Sequence, residues 1–237
     1  MTDTLLLVGR THTRDVARIH ADRLRSRGVA DRVSVATYDD PPAELAPDTT
    51  GTVYVVPMTA APDRDTTRAI PGAIPNARHC EPVGPSPAVA RAIARRADTA
   101  LPAAPDVSLA LVAFGDSAGN GSRRTTEQQA GRLRETTAYG EVTTAYMLQN
   151  PAVECLRYNL SGERAVVVPF FIAASEETEQ AIPEKLELDR GGLVYADPLG
   201  THEAVTDAIE AELAKARAIG SGTAAVSPVA TDGRGRW

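Results

Sequence analysis

The chain is written twice. Val53-Tyr54-Val55-Val56-Pro57 recurs as Ala165-Val166-Val167-Val168-Pro169, and Ala69-Ile70-Pro71 follows the first run at the same distance as Ala181-Ile182-Pro183 follows the second. Farther on, Glu81-Pro82-Val83-Gly84-Pro85-Ser86 is echoed by Asp197-Pro198-Leu199-Gly200-Thr201-His202. Each echo leads into a helical pattern, over 88–96 and 204–216. Leu5-Leu6-Leu7-Val8-Gly9 is matched by Leu109-Ala110-Leu111-Val112-Ala113. Matched landmarks in one order mark an internal duplication, and whatever one half folds into, the other must fold into as well.

Within each half, short β-branched runs alternate with stretches of helical period. That alternation is the pattern of βαβ units and a parallel sheet. Strands are expected over 4–9, 32–37, 52–58 and 77–81, then over 107–114, 141–147, 164–171 and 192–196. Helices are expected over 14–27, 65–74, 87–96, 123–137, 151–160, 176–187 and 203–217. Between 39 and 45 there is room for one or two turns at most. The fold class is therefore α/β, as two similar three-layer α/β/α domains with parallel sheets. The expected boundaries are 1–96 and 107–217, with an Ala/Pro/Asp linker at 97–106 and a disordered tail at 218–237. The tail is rich in Gly, Ser, Thr and Ala and cannot bury enough apolar surface to offset its ordering.

Composition narrows the partners. Twenty-five basic against 31 acidic residues leave a net charge of −6, which speaks against a nucleic-acid coat. Only Lys185 and Lys215 are lysines, so planar anion recognition by arginine is abundant and amine chemistry scarce. No apolar run approaches the roughly 18–20 residues that span a bilayer, and no membrane partner is expected. The start, Met1-Thr2-Asp3-Thr4, lacks the basic region of a secretory signal, and Cys80 and Cys155 lack metal-site spacing. A cytoplasmic protein is expected.

In open α/β sheets ligands sit beyond the carboxyl ends of the strands, so the loops after the first and third strand of each half hold the candidates. After the first strand stands Gly9-Arg10-Thr11-His12-Thr13-Arg14, one imidazole between two guanidiniums. His12 suits a metal ligand or a proton acceptor. Its counterpart, Phe114-Gly115-Asp116-Ser117-Ala118-Gly119-Asn120-Gly121, is glycine-rich but lacks the Gly-Lys-Ser/Thr ending of a Walker loop. No nucleotide is expected there, and Asp116 is its one metal-binding group. After the third strand come Arg64, Asp65 and Arg68 in the first half and Glu176-Glu177 in the second. His202 precedes the last helix and is a secondary candidate for the cleft. His20, in mid-helix beside Ile19, reads as a packing or flank residue, and His20→Ala as a neutral control. His79 and Cys80 point to opposite faces of a strand and form no pair.

Together these pieces resemble the class II chelatases of the sirohydrochlorin cobaltochelatase and ferrochelatase type, in their long, duplicated form. The pieces are a strand ending in glycine before a histidine loop, Val167-Val168-Pro169 with Ile182-Pro183, and Pro198-Leu199-Gly200-Thr201-His202. The resemblance covers residues 4–96 and 107–216. It implies insertion of a divalent metal, Co²⁺ first and iron or nickel next, into a partly reduced tetrapyrrole without nucleotide hydrolysis. It also implies histidine directly after the strand-1 glycine and a second histidine four residues before the Asp of an Asp-Ile-Pro helix end, the place of that Asp being held here by Ala69 and Ala181. Here Arg10 and Phe114 stand in the first place and Asp65 and Glu177 in the second.

Residue chemistry then assigns His12 as base and metal ligand and Asp65 as second ligand. Arg10, Arg14, Arg64 and Arg68 would clamp the carboxylates of the ring, with Asp116, Glu177 and His202 as secondary candidates. A second reading, favoured by the missing histidines, is an inactive relative that carries tetrapyrrole or metal or supports an active subunit. A third is an unrelated α/β protein holding a phosphate-bearing ligand at the Gly115–Gly121 loop. A homodimer is compatible with all three.

Overall fold

The computed structural model describes residues 2–39, 42, 45, 51–116 and 119–222. The first half forms β1 (Asp3–Arg10), α1 (Arg14–Ser26), β2 (Arg32–Tyr38), β3 (Thr52–Pro57), α2 (Ile70–Ala73), β4 (Arg78–His79) and α3 (Pro87–Ala100). The second forms β5 (Val107–Ala113), α4 (Gly121–Thr136), β6 (Glu141–Tyr146), α5 (Leu156–Asn159), β7 (Arg164–Pro169), α6 (Ile182–Leu186), β8 (Leu193–Tyr195) and α7 (Glu203–Gly222). The sheets run β2-β1-β3-β4 and β6-β5-β7-β8, every pairing parallel. Their registers repeat too: Val8 stands opposite Pro57 as Val112 stands opposite Pro169. The duplicated sequence is thus a duplicated fold.

Both faces of each central strand are covered, which explains the near-continuous apolar runs. Side chains alternate along a strand. Leu5 and Leu7 face inward while Leu6 and Val8 join an outer cluster with Ile70 and Ile74. Leu109, Leu111 and Val168 likewise face inward, and Ala110, Val112 and Val167 pack outward on Leu156 and Ile182. The inner side chains of the two sheets belong to one continuous core.

The halves also exchange helices. α3 packs on β7 of the second sheet, α7 packs on β3 of the first, and the two helices lie against each other. Polar contacts set this exchange. Arg217 of α7 pairs with Asp3 at 3.3 Å and lies over the Tyr54 ring at 5.6 Å. Arg96 of α3 donates to the Leu199 carbonyl at 3.2 Å. Arg27 reaches Glu203, Asp207 and Glu210 on α7, and Gln129 of α4 donates to the carbonyls of Gly84 and Ser86. Gly84 admits no side chain, because a Cβ there would overlap the Ala60 carbonyl.

Three local features differ from the sequence reading. α3 continues through Ala100 into the segment expected as linker, and Leu101 beyond it is buried with its carbonyl bonded by the Tyr139 hydroxyl at 2.8 Å. α7 runs to Gly222, past the expected start of the tail, whose remainder lies outside the described residues. The turns expected over 39–45 also lie largely outside them. The helices expected at 65–74 and 176–187 each open with a π-helical turn, Asp65–Ala69 and Glu177–Ala181. Pro71 and Pro183 lack the N–H of a regular helix, and the wider turn ahead of each bonds Ile70 to the Asp65 carbonyl and Ile182 to that of Glu177.

His20 is fully buried where the halves meet. The Gly200 carbonyl can only accept, so Nε2 carries the proton and donates to it at 3.1 Å, and Nδ1 accepts the Thr206 hydroxyl at 2.8 Å. Burial, followed by opposing and smaller effects of the Gly200 carbonyl and Arg23, holds its pKa down at about 4. The unfolded chain therefore takes the proton first as pH falls. The stability His20 contributes is complete above pH ~6.5 and is lost as pH drops through about 4, a swing of about 3 kcal/mol. Urea titrations at pH 7 and pH 4 should show this loss in the wild type and a smaller one in His20→Gln. Equal losses would remove His20 as its source. Of the packing and flank readings the structure shows packing, and His20→Ala is no neutral control, since it opens a cavity between the halves.

Candidate active site

A cavity of about 530 Å³ opens between the halves at the carboxyl ends of β1, β3, β5 and β7. That size falls within the range of about 300–1,000 Å³ common for ligand pockets. Each half contributes equivalent positions. His12, in the 3₁₀ turn Thr11–Thr13 after β1, corresponds to Asp116 after β5. Asp65 and Glu177, each first in its π-helical turn, line the cavity from opposite halves. The turns are held by matching devices: Thr66 and Asp63 bond each other's backbone N–H at 2.8 and 2.9 Å, and the Ser175 N–H donates to the Thr178 hydroxyl at 2.9 Å.

The two walls are chemically unlike. The first half presents Arg10, His12, Asp63, Arg64 and Asp65, while the second presents Phe114, Leu148, Phe170, Phe171 and Ile172 beside Asp116 and Glu177. On the charged wall Asp65 accepts from Arg10 at 2.7 Å and from the Tyr38 hydroxyl at 3.0 Å. Arg10 also lies 6.0 Å from the Tyr38 ring centre. Burial first, then the Asp65 charge and hydrogen bond, raises the Tyr38 pKa, so the phenol stays protonated and donating. Burial likewise raises the Asp63 carboxyl.

His12 faces the open cleft. Its surface reaches water, yet protein crowds around it, and that burial is the main cause lowering its pKa below 6.5. Glu177 across the cleft raises it and Arg10 lowers it. The imidazole is therefore neutral at pH 7, with a nitrogen lone pair to offer. The Ser175 hydroxyl, beside Glu177 without strict hydrogen-bond geometry, is the first cause holding the Glu177 carboxyl below its ordinary range; His12 and Arg10 add smaller effects.

The other sequence candidates fall as follows. Arg64 lines the cavity with Arg10. Arg14 lies outside the lining, bonded to the Thr37 hydroxyl at 2.9 and 3.1 Å, and Arg68 is exposed outside it as well. Arg14 stands two residues past His12, and Arg68 three past Asp65 in a π-helical turn too wide to stack them on one face. His202 does not line the cleft either. Its Nδ1 accepts the Ala204 N–H at 3.1 Å and caps α7, among Arg23, Arg95 and Arg96. In the glycine-rich loop, Gln149 donates to the carbonyls of Asp116 and Gly119. Among the described residues no three His, Cys, Asp or Glu side chains converge on a metal position. Tyr38 and Leu148 lie outside the loops after the first and third strands, where the sequence places its candidates; Asp63 and Phe114 lie within those loops, but nothing in their spacing marks a role. Tyr38 ends β2 and Leu148 follows β6, so the ends of the second strands would have shown both.

Comparison with known proteins agrees with this architecture. The CbiX family model matches residues 109–216. A probable sirohydrochlorin cobaltochelatase of Halobacterium salinarum is 25% identical over 202 residues, which span 71% of this chain and 69% of that protein. SirB from Bacillus subtilis with Fe³⁺ superposes with a TM-score of 0.75 at 17% identity, covering 94% of this chain and 98% of SirB. DR2241 from Deinococcus radiodurans, a multi-domain protein with structural similarity to chelatases, gives 0.70 at 23% identity. The match covers 90% of this chain and about half of DR2241 (54%), which has two additional domains. By sequence its second half is similar to the CbiX family, and by fold both halves are similar to sirohydrochlorin chelatases.

Proposed function

We propose that this protein inserts a divalent metal, cobalt before iron or nickel, into sirohydrochlorin or a closely related tetrapyrrole. The observation that carries the reading is the cleft itself, with a neutral imidazole on a cationic wall facing an apolar one in a chain related to cobaltochelatases. Insertion exchanges two pyrrole protons for one metal ion, so the site needs a lone pair, a place for positive charge and a grip on the ring's carboxylates. His12 supplies the lone pair, as proton acceptor or as ligand to the incoming metal. Glu177 faces it as a carboxylate and stabilises the imidazolium formed. Arg64 and Arg10 attract the substrate's carboxylates, each charge-assisted bond contributing about 1.5–3 kcal/mol. The metal is substrate here, and the ring nitrogens complete its coordination. The proposed compartment is the cytoplasm.

A second reading, a carrier without catalysis, draws on Asp65. Its carboxylate is already taken by Arg10 and Tyr38, which leaves His12 as the open ligand of the first half's pair. One assay separates the two. The protein is mixed with sirohydrochlorin and Co²⁺, and the absorption spectrum is followed over time. Insertion faster than in the protein-free control establishes the enzyme. A shifted spectrum with uncatalysed kinetics establishes the carrier, and a spectrum unaffected by protein overturns both.

A further inference from the structure

We propose that Phe114 and Leu148 form an apolar shelf that stacks on one face of the macrocycle, so that the second half binds the ring while the first half works on it. This rests on the tetrapyrrole reading above and assigns the opposite wall of the same cleft.

The first support is exposure. Phe114 is 43% and Leu148 52% exposed, and both line the cavity. Large apolar side chains left open together on a concave wall mark a surface that meets an apolar partner. Phe170, Phe171 and Ile172 continue that wall after β7. The pair is also held in place, since the Leu148 N–H donates to the Phe114 carbonyl at 3.0 Å.

The second support is the duplication. Phe114 follows β5 where Arg10 ends β1, the two being counterparts in the aligned repeats. Arg10 neutralises Asp65 on its own wall. Among the described residues no arginine of the second half pairs with Glu177, the counterpart of Asp65, and the charge of Glu177 acts across the cleft on His12. Phenylalanine in place of arginine thus gives the second wall a flat apolar face and no cation at the position equivalent to Arg10. A ring lying on that face turns its other face to His12 and its carboxylate-bearing rim to Arg10 and Arg64. A stacked ring system prefers an offset aromatic partner, and its apolar surface gains from contact with Leu148.

The test is binding of metal-free sirohydrochlorin to the whole chain, read by its absorption shift, with the split of kcat and KM for cobalt insertion. Wild type should bind. Phe114→Ala should weaken binding about tenfold and raise KM by a similar factor while kcat changes less than threefold. Phe114→Tyr should restore affinity, Leu148→Ser should weaken it about threefold, and Tyr158→Ala, an exposed aromatic outside the cavity, should leave it unchanged. If wild type binds and Phe114→Ala and Leu148→Ser bind equally well, the shelf is wrong and the insertion reading stands. If wild type does not bind the macrocycle, the reading beneath it is wrong as well.

Discussion

His12→Ala should lose at least about 100-fold of the insertion rate over the protein-free control, with folding intact. A positioned acid–base group commonly contributes 10²–10⁴-fold. The side chain faces open cleft and supports no neighbouring backbone, so the loss should sit in the chemical step. The pH profile gives a sharper check. In the proposed mechanism insertion uses neutral His12, so the rate should fall on the acid side, below the ordinary histidine range, because burial lowers this pKa. Glu177 opposes that lowering. Glu177→Gln should therefore move the acid limb to still lower pH. A limb that stays fixed in Glu177→Gln would separate that carboxylate from the base. His79→Ala is the suitable control, because His79 is exposed on β4, away from the cavity.

Cut between α3 and β5, neither half should fold alone. Residues 1–100 would leave β3 without α7, and residues 101–237 would leave β7 without α3. Each would expose inner-face residues such as Val56 or Val168 from the shared core. A buried Val, Leu or Ile side chain contributes about 1.5–3 kcal/mol, against whole-domain stabilities of 5–15 kcal/mol, so losing several of these contacts removes the margin. Urea titration of each half should show no cooperative transition, and co-expression should restore one. A half that unfolds cooperatively alone at full-length stability would contradict the helix exchange. On this prediction the duplication yields one folding unit, with two similar sheets joined by a continuous core beneath the cleft.

The repeated Val-Val-Pro and Ile-Pro landmarks made the sheets readable, because strand register and alternation follow directly from apolar spacing. They also placed His12, Arg10, Arg64 and Asp65 on one wall, since loops after first and third strands must meet at one end of a parallel sheet. The helix exchange was not readable. The apolar faces of α3 and α7 show that they are buried, but periodicity does not name the sheet that buries them. The tie of Asp65 to Arg10 and Tyr38 depends on β2 lying beside β1, a pairing settled by topology and not by spacing. Phe114 was read for what it cannot do, ligate a metal; only its place opposite His12 shows what an aromatic ring there offers. Arg68 lies off the cleft because the turn carrying Asp65 is π-helical, so the residue three places on does not share its face, and Arg14, two residues past His12, is drawn to Thr37.

The most direct test of the account is a crystal structure of the chain with cobalt and sirohydrochlorin bound. The macrocycle should lie between the His12 and Phe114 walls, with the metal on the imidazole side and the ring's carboxylates at Arg10 and Arg64. A ring seated outside this cavity, or one whose metal faces Phe114 with His12 pointing to solvent, would contradict it.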